Sequence, residues 1–309
     1  MKQMAIIGMI LLVFLLLFNC EKKAELLAPQ DQETKIELAL TGLNNLGSNA
    51  QYNLWATYDS SKVEIARLIG QFTTDDQGVL SQTVFDVNLG IIQRTNTLVI
   101  SIEEADSIPP KPSVYRVIAA KLKANTGSFS VGDDYLLAFD VTQANGFYQI
   151  SKPQGSDSVK GIWFMKGETD TTKEAGLELP EAPVRWSYKA YVIIGSDSFS
   201  TGIFTKPGIA DGQNIYGDPN QPMTTYPFPG ENFQVDPQTG NSLNIDLRGA
   251  EVVVEIIPPV PASAKKPFRL IMFKGTIPAN AAINTTYPLM NNSATFPGGT
   301  AKVIIKLFE

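Results

Sequence analysis

The sequence predicts an all-β protein: two tandem β-sandwich domains from an internal duplication, set behind a short export signal and a tether. Three observations predict it. Apolar and polar residues alternate through much of the chain, the period of a half-buried strand. The 24 glycines and 20 prolines break that pattern at short intervals, and few stretches hold a helical period for three turns. One order of sequence landmarks also occurs twice.

The chain opens with Lys2 and an apolar run from Met4 to Phe18. At roughly 15 residues the run is shorter than the ~20 that cross a bilayer core. It ends in Leu17-Phe18-Asn19-Cys20, and Cys20 is the single cysteine. This tetrapeptide resembles the lipobox of bacterial lipoproteins, with Asn19 standing where Gly, Ala or Ser is commoner. The resemblance implies a signal peptide over residues 1–19, acylation of Cys20, and anchorage to a membrane of a bacterial cell envelope. Glu21 follows the cysteine instead of Asp, which favours the outer membrane. Residues 20–33 carry mixed polar residues without alternation and read as a flexible tether.

From Thr34 onward the pattern is β. Ile36–Leu40, Tyr52–Tyr58 and Val63–Phe72 alternate, and turn clusters such as Asp75-Asp76-Gln77-Gly78 and Ile108-Pro109-Pro110 separate them. The first copy of the landmarks is Tyr52-Asn53-Leu54-Trp55, Gly70-Gln71-Phe72-Thr73, Leu98 to Glu103, a Pro/Lys loop at Pro109–Pro112, and Tyr115 to Ala119. The second is Tyr188-Lys189-Ala190-Tyr191, Gly202-Ile203-Phe204-Thr205, Val252 to Ile257, a loop from Pro258 to Pro267, and Phe268 to Phe273. Each copy has the size of one sandwich. The first is placed at residues 34–125 and the second at 126–309, with a long Gly/Pro/Asn-rich loop at 207–243. Asn125 to Val159 holds the hinge and the opening strands of the second unit, with Tyr135 to Val141 alternating. Ala301 to Phe308 reads as a closing strand that pairs back onto the second sheet.

Composition limits the chemistry. The net charge of −6 argues against nucleic-acid binding, which needs clustered Lys and Arg. With no histidine and one cysteine, Ser-His-Asp, Cys-His and His- or thiolate-ligated metal sites are excluded. Carboxylate pairs, a Ser-Lys dyad and oxygen-ligated calcium stay open. No cofactor is expected.

The landmarks resemble the extracytoplasmic C-terminal domain of anti-sigma-K-type factors over roughly residues 34–125, and more loosely over 160–280. The matching residues are Tyr52-Asn53-Leu54-Trp55, Gly70-Gln71-Phe72 and Leu98 to Pro112. The cytoplasmic sigma-binding domain of that family has no counterpart before the apolar run. What the resemblance implies is a sensory or ligand-binding sandwich displayed on a lipid anchor.

Three sets of residues are candidates for a site. Asp211, Asn214 and Asp218, with Asp236, place carboxylates and an amide in a glycine-rich loop that could wrap calcium. Their spacing is not that of an EF-hand, and such residues are also ordinary turn formers. Tyr216, Tyr226, Phe228 and Phe233 could present aromatic rings to a protein or glycan ligand, or fold back to cap the sandwich. The acidic pairs Asp75-Asp76, Glu103-Glu104 and Asp133-Asp134 point their members to opposite faces of a strand, which suits solvated or turn positions better than catalysis. Trp55, Trp163 and Trp186 read as core. The sum is a non-catalytic binding or sensory envelope lipoprotein. The alternatives are a carboxylate-dependent glycan hydrolase and a structural surface or adhesin component.

Overall fold

The computed structural model describes residues 32–307, apart from residues 61, 133–135, 138, 169–170, 221–225, 259, 261–267 and 269. Cys20, the signal peptide and most of the tether lie outside these residues, as do Asp133 and Asp134. The fold is nearly all β, as the alternation predicts. In chain order the first strands are β1 (Gln32–Thr41), β2 (Ala50–Ser60), β3 (Val63–Phe72), β4 (Val84–Asp86), β5 (Thr97–Glu104), β6 (Arg116–Lys123) and β7 (Thr126–Phe129). Next come β8 (Gly146–Ser151), β9 (Gly161–Trp163), the short pair β10 (Met165–Lys166) and β11 (Glu174–Ala175), and β12 (Ser187–Ile194). The last are β13 (Asp197–Phe204), β14 (Gly230–Asn232), β15 (Glu251–Ile257), β16 (Leu270–Thr276), β17 (Tyr287–Asn291) and β18 (Gly298–Leu307).

Two eight-stranded antiparallel sheets result, ordered β3-β2-β5-β6-β7-β18-β1-β4 and β13-β12-β15-β16-β17-β8-β9-β14. Position by position they are the same sheet. The agreement reaches the irregularities. The ladder slips between Leu54 and Trp55 on β2 and between Ala190 and Tyr191 on β12. It slips again between Ile100 and Ser101 on β5 and between Val254 and Glu255 on β15. A bulge bends a strand and increases its twist. Two at matched places curl each sheet until its end strands approach, β3 towards β4 and β13 towards β14, giving a barrel-like sandwich.

The aromatic landmarks are the inner filling of this geometry. Tyr52 stacks on Phe72 with centroids 5.4 Å apart, and Tyr188 stacks on Phe204 at 5.7 Å. The Tyr52 hydroxyl donates to the Asn44 carbonyl (2.6 Å) and that of Tyr188 to the Pro180 carbonyl (3.2 Å), eight residues upstream in each case. Asn44 O also accepts from Thr74 Oγ1 at 2.8 Å. Tyr52→Phe therefore leaves the carbonyl one donor and is expected to cost about 1 kcal/mol, the net worth of one hydrogen bond. Urea unfolding of the variant checks this; a loss above about 3 kcal/mol would mean that the ring itself had moved.

The structure corrects three expectations. First, β18 pairs with β1 from Gln32↔Leu307 to Thr41↔Gly298 and with β7 on its other side, so it completes the first sheet and not the second. The second unit gets its equivalent strand from β8, immediately before β9. The strands meet tightly: Gly299 has φ +136°, and a Cβ there would lie 2.0 Å from the Ala39 carbonyl oxygen. Secondly, the described part of Tyr135–Val141 is turn leading into a 3-10 turn at Val141–Gln143, where Asp140 caps the Thr142 amide at 3.0 Å. Thirdly, β2 is buried on both faces over Ala50–Thr57, not on one. Tyr52, Leu54 and Ala56 enter the main core. Gln51, Asn53, Trp55 and Thr57 are buried on the other face, where Ser107 meets Gln51, Gln71 meets Asn53, and Leu136 packs with Trp55.

That second face forms a polar layer with its own small core. Trp55 packs with Ala66, Val99, Ala119 and Leu136, and its indole N–H donates to Ser101 Oγ at 2.9 Å. Ser101 Oγ donates in turn to Glu103 Oε1 at 2.6 Å, which also accepts from the Ser113 amide. Gln51 and Gln71 donate to the Ser107 carbonyl, and Arg116 forks onto Glu64 at 2.6 and 3.1 Å.

Candidate functional site

The chain passes from the first unit to the second through residues 130–145 and returns through 292–297. The two crossings are tied by the Asn291 side-chain amide, which donates to the carbonyls of Val141 and Ala144 at 2.9 Å each. Between them lies a cleft of about 660 Å³. Val131, Val141 and Pro297 are buried beneath it, Phe139 and Phe296 stand half-buried in its walls, and Asp140 lies at the rim. Thr142, through its hydroxyl and then its amide, holds the Asp140 carboxyl below its ordinary range. A cleft of this size at a junction between units, with aromatic walls and a few polar groups, suits a small ligand.

The candidate calcium residues do not converge. Asp211 Oδ1 accepts from the Gln213 amide, Asp218 Oδ1 from the Asn220 amide, and Asp236 Oδ1 from the Gln238 amide, at 2.8–3.0 Å. Each is an Asx-turn, the same local device as Asp75 with Gln77 and Asp246 with Arg248. Asn214 lies against Gly217. Among the described residues no group of three acidic, His or Cys side chains is placed to hold a metal ion.

The aromatic candidates are mainly packing. Phe233 is fully buried between Phe199 and Tyr216, and Phe228 joins Trp163 and Met165 in a small cluster. The reading of these two as ligand contacts is corrected: each stands opposite other apolar side chains that exclude water from it. Tyr216 and Tyr226 are half-buried. Tyr216 packs edge-on against Phe199, and Tyr226 packs on Trp163 with Lys173 Nζ 4.4 Å above its ring. Of the acidic pairs, Glu103 is buried and Glu104 exposed, as their opposite directions on β5 require. Asp75 caps a turn, and Asp76 accepts from Asn45 Nδ2. Trp55, Trp163 and Trp186 are all buried.

Sequence reasoning missed Glu231. It sits mid-way along β14, opposite Ile162 of β9, and is 1% exposed. Its Oε2 accepts from the amides of Ile215 (2.6 Å) and Tyr216 (3.4 Å), and its Oε1 from the Asn232 amide (2.9 Å). Burial pushes its carboxyl up to about 7, and the nearby Asp211 carboxylate adds to the rise. Burial also raises Asp211. The signal in the sequence was one acid inside the aromatic and turn run Phe228-Pro229-Gly230-Glu231-Asn232-Phe233. Nothing local distinguishes it from an exposed turn residue.

No protein-family model, curated protein or solved structure matches this chain.

Proposed function

We propose that this chain is a non-catalytic binding or sensory module of a bacterial cell envelope, held to the membrane by an acylated Cys20. The binding part of the reading is carried by the cleft between the two crossings. A molecule seated there touches both crossings and the ends of β7 and β18, and favours whichever arrangement of the two crossings it fits best. The anchoring part rests on the lipobox-like Leu17–Cys20. A link to extracytoplasmic stress signalling belongs to the same proposal and rests on the resemblance of the Tyr52, Gly70 and Leu98 landmarks. The hydrolase alternative would need two carboxyls open to a substrate. Glu231 and Asp211 act on each other, but both oxygens of Glu231 accept from backbone amides, and the more exposed Glu174 and Glu178 are both paired with Lys166.

Two measurements test the proposal. Cys20→Ser is expected to abolish labelling by a fatty-acid probe and to release the protein from membranes; unchanged labelling would sink the anchor. Extracts of small molecules and glycans from native envelopes are expected to raise the melting temperature of the wild-type protein and not that of Phe296→Ala. An equal shift in both would move the ligand out of the cleft.

A further inference from the structure

The cleft between the two crossings offers few polar groups, and its charge is of one sign. Among the described residues that line it, Asp140 alone is charged. The chain's net charge of −6 has the same sign. Asp140 spends one oxygen on its own turn: Oδ1 accepts from the Thr142 hydroxyl at 2.6 Å and from the Thr142 amide at 3.0 Å. Both donors favour the ionised form, and no Lys or Arg among the described residues acts on it. Its side chain is exposed, and Oδ2 has no partner among the described residues. The cleft thus holds a carboxylate with no counter-ion.

The hydroxyls are mostly committed. Thr142 Oγ1 donates to Asp140, and Ser293 Oγ donates to Asn291 Oδ1 at 2.5 Å, which leaves Ser130 Oγ open among the described lining residues. Phe139 and Phe296 pack against the core yet stay half-buried, and among the described residues no second ring or cation lies over either. Most classes of ligand are badly served by such a site. A phosphate or carboxylate finds no cation and meets Asp140 at the rim. A sugar ring brings several hydroxyls to two free side-chain groups. A calcium ion takes about six to eight oxygens, far more than one carboxylate and one hydroxyl supply. An ammonium group uses everything present, since phenyl faces attract cations and a carboxylate pairs with them.

We propose that the cleft takes a small organic cation, an amine or quaternary ammonium with an apolar body. The charged nitrogen sits between the Asp140 carboxylate and the rings of Phe139 and Phe296, and the body lies over Val131 and Pro297. The class of ligand rests on the cleft being the binding site, as proposed above. Charge selects the ligand here, while the apolar floor supplies contact area. Because Asp140 is exposed at the rim, its share of the attraction weakens as salt is added, and the share from the rings and floor persists.

Choline and tert-butylethanol test this on the intact protein, because they differ only in the replacement of the charged nitrogen by carbon. In an NMR titration choline is expected to shift the amide signals of Ser130, Thr142 and Phe296, and to bind about tenfold more tightly than the alcohol. Asp140→Asn keeps a side-chain oxygen for the turn and is expected to remove most of that preference. Should this variant disturb the turn, Phe296→Leu keeps the bulk without the ring and is expected to weaken choline more than the alcohol. Equal binding of the two probes, no binding of choline, or shifts confined to other amides would overturn the cation, as would a preference unchanged in both variants. The envelope extract separates this failure from failure of the cleft. Passed over a cation exchanger at neutral pH, it is expected to lose its stabilising component to the resin. A component that flows through and still needs Phe296 refutes the cation and leaves the cleft as the site. One that stabilises Phe296→Ala equally removes the cleft, and the cation with it.

Discussion

Truncation after Pro297 is expected to unfold the first unit and spare the second. β18 gives β1 ten paired positions and gives β7 four more, whereas β4 pairs with only three residues of β1. Without β18, the inward side chains Ile36, Leu38 and Leu40 lose Ala301 and Val303 across the sheet, and the first barrel is left open at two strand edges. The second sheet keeps every one of its strands. Proteolysis of the truncated chain is expected to leave a resistant core beginning near β8 and ending near β17, with Trp55 newly accessible to quenchers and Trp163 protected. The opposite outcome, cleavage within β12–β16 with Trp55 still shielded, would show that β18 serves the second unit after all.

Trp55→Ala is expected to cost about 3–5 kcal/mol, in the range for deleting a buried aromatic side chain. The indole is 1% exposed, fills the small core of Ala66, Val99, Ala119 and Leu136, and begins the hydrogen-bonded chain through Ser101 to Glu103. Removing it opens a cavity and leaves Ser101 Oγ without its donor. Trp55→Phe keeps most of the packing and loses only the hydrogen bond, so it should cost ~1–2 kcal/mol. Chemical unfolding of both variants separates the two contributions. An unchanged midpoint in Trp55→Ala, with lost ligand capture, would make the indole a binding surface instead.

How much of this was legible depended on distance along the chain. The strands were readable because alternation and β-branched residues are local, and the doubled landmarks were readable because Tyr52 and Tyr188 do the same job eight residues after the same kind of carbonyl. The partner of β18 was not. An apolar strand pairs equally well with any open edge, and only the three-dimensional course of the two crossings selects β1. The burial of Asn53 and Gln51 was hidden for a related reason: alternation reports one buried face, and the cover on the other comes from a Pro-rich loop with no period of its own. In the candidate site, the turn-forming aspartates were readable from their Asx-type spacing. Glu231 was not, since its environment is assembled from Asp211, Ile215 and Tyr216 on a separate segment.

The β1–β18 ladder also sets the order of events during synthesis. A growing chain emits β1 first and β18 last, so β1 spends almost the whole of translation with one long edge unmatched. Contacts that wait for so distant a partner form slowly, and an open edge is a template for pairing with another chain. The second unit, complete within itself, is free to fold earlier and to act as a scaffold that carries the C-terminal strand back to the N-terminal one. A chain cut short anywhere before Gly298 would thus betray itself at its opposite end, as an exposed strand at the N-terminus that chaperones and proteases can read.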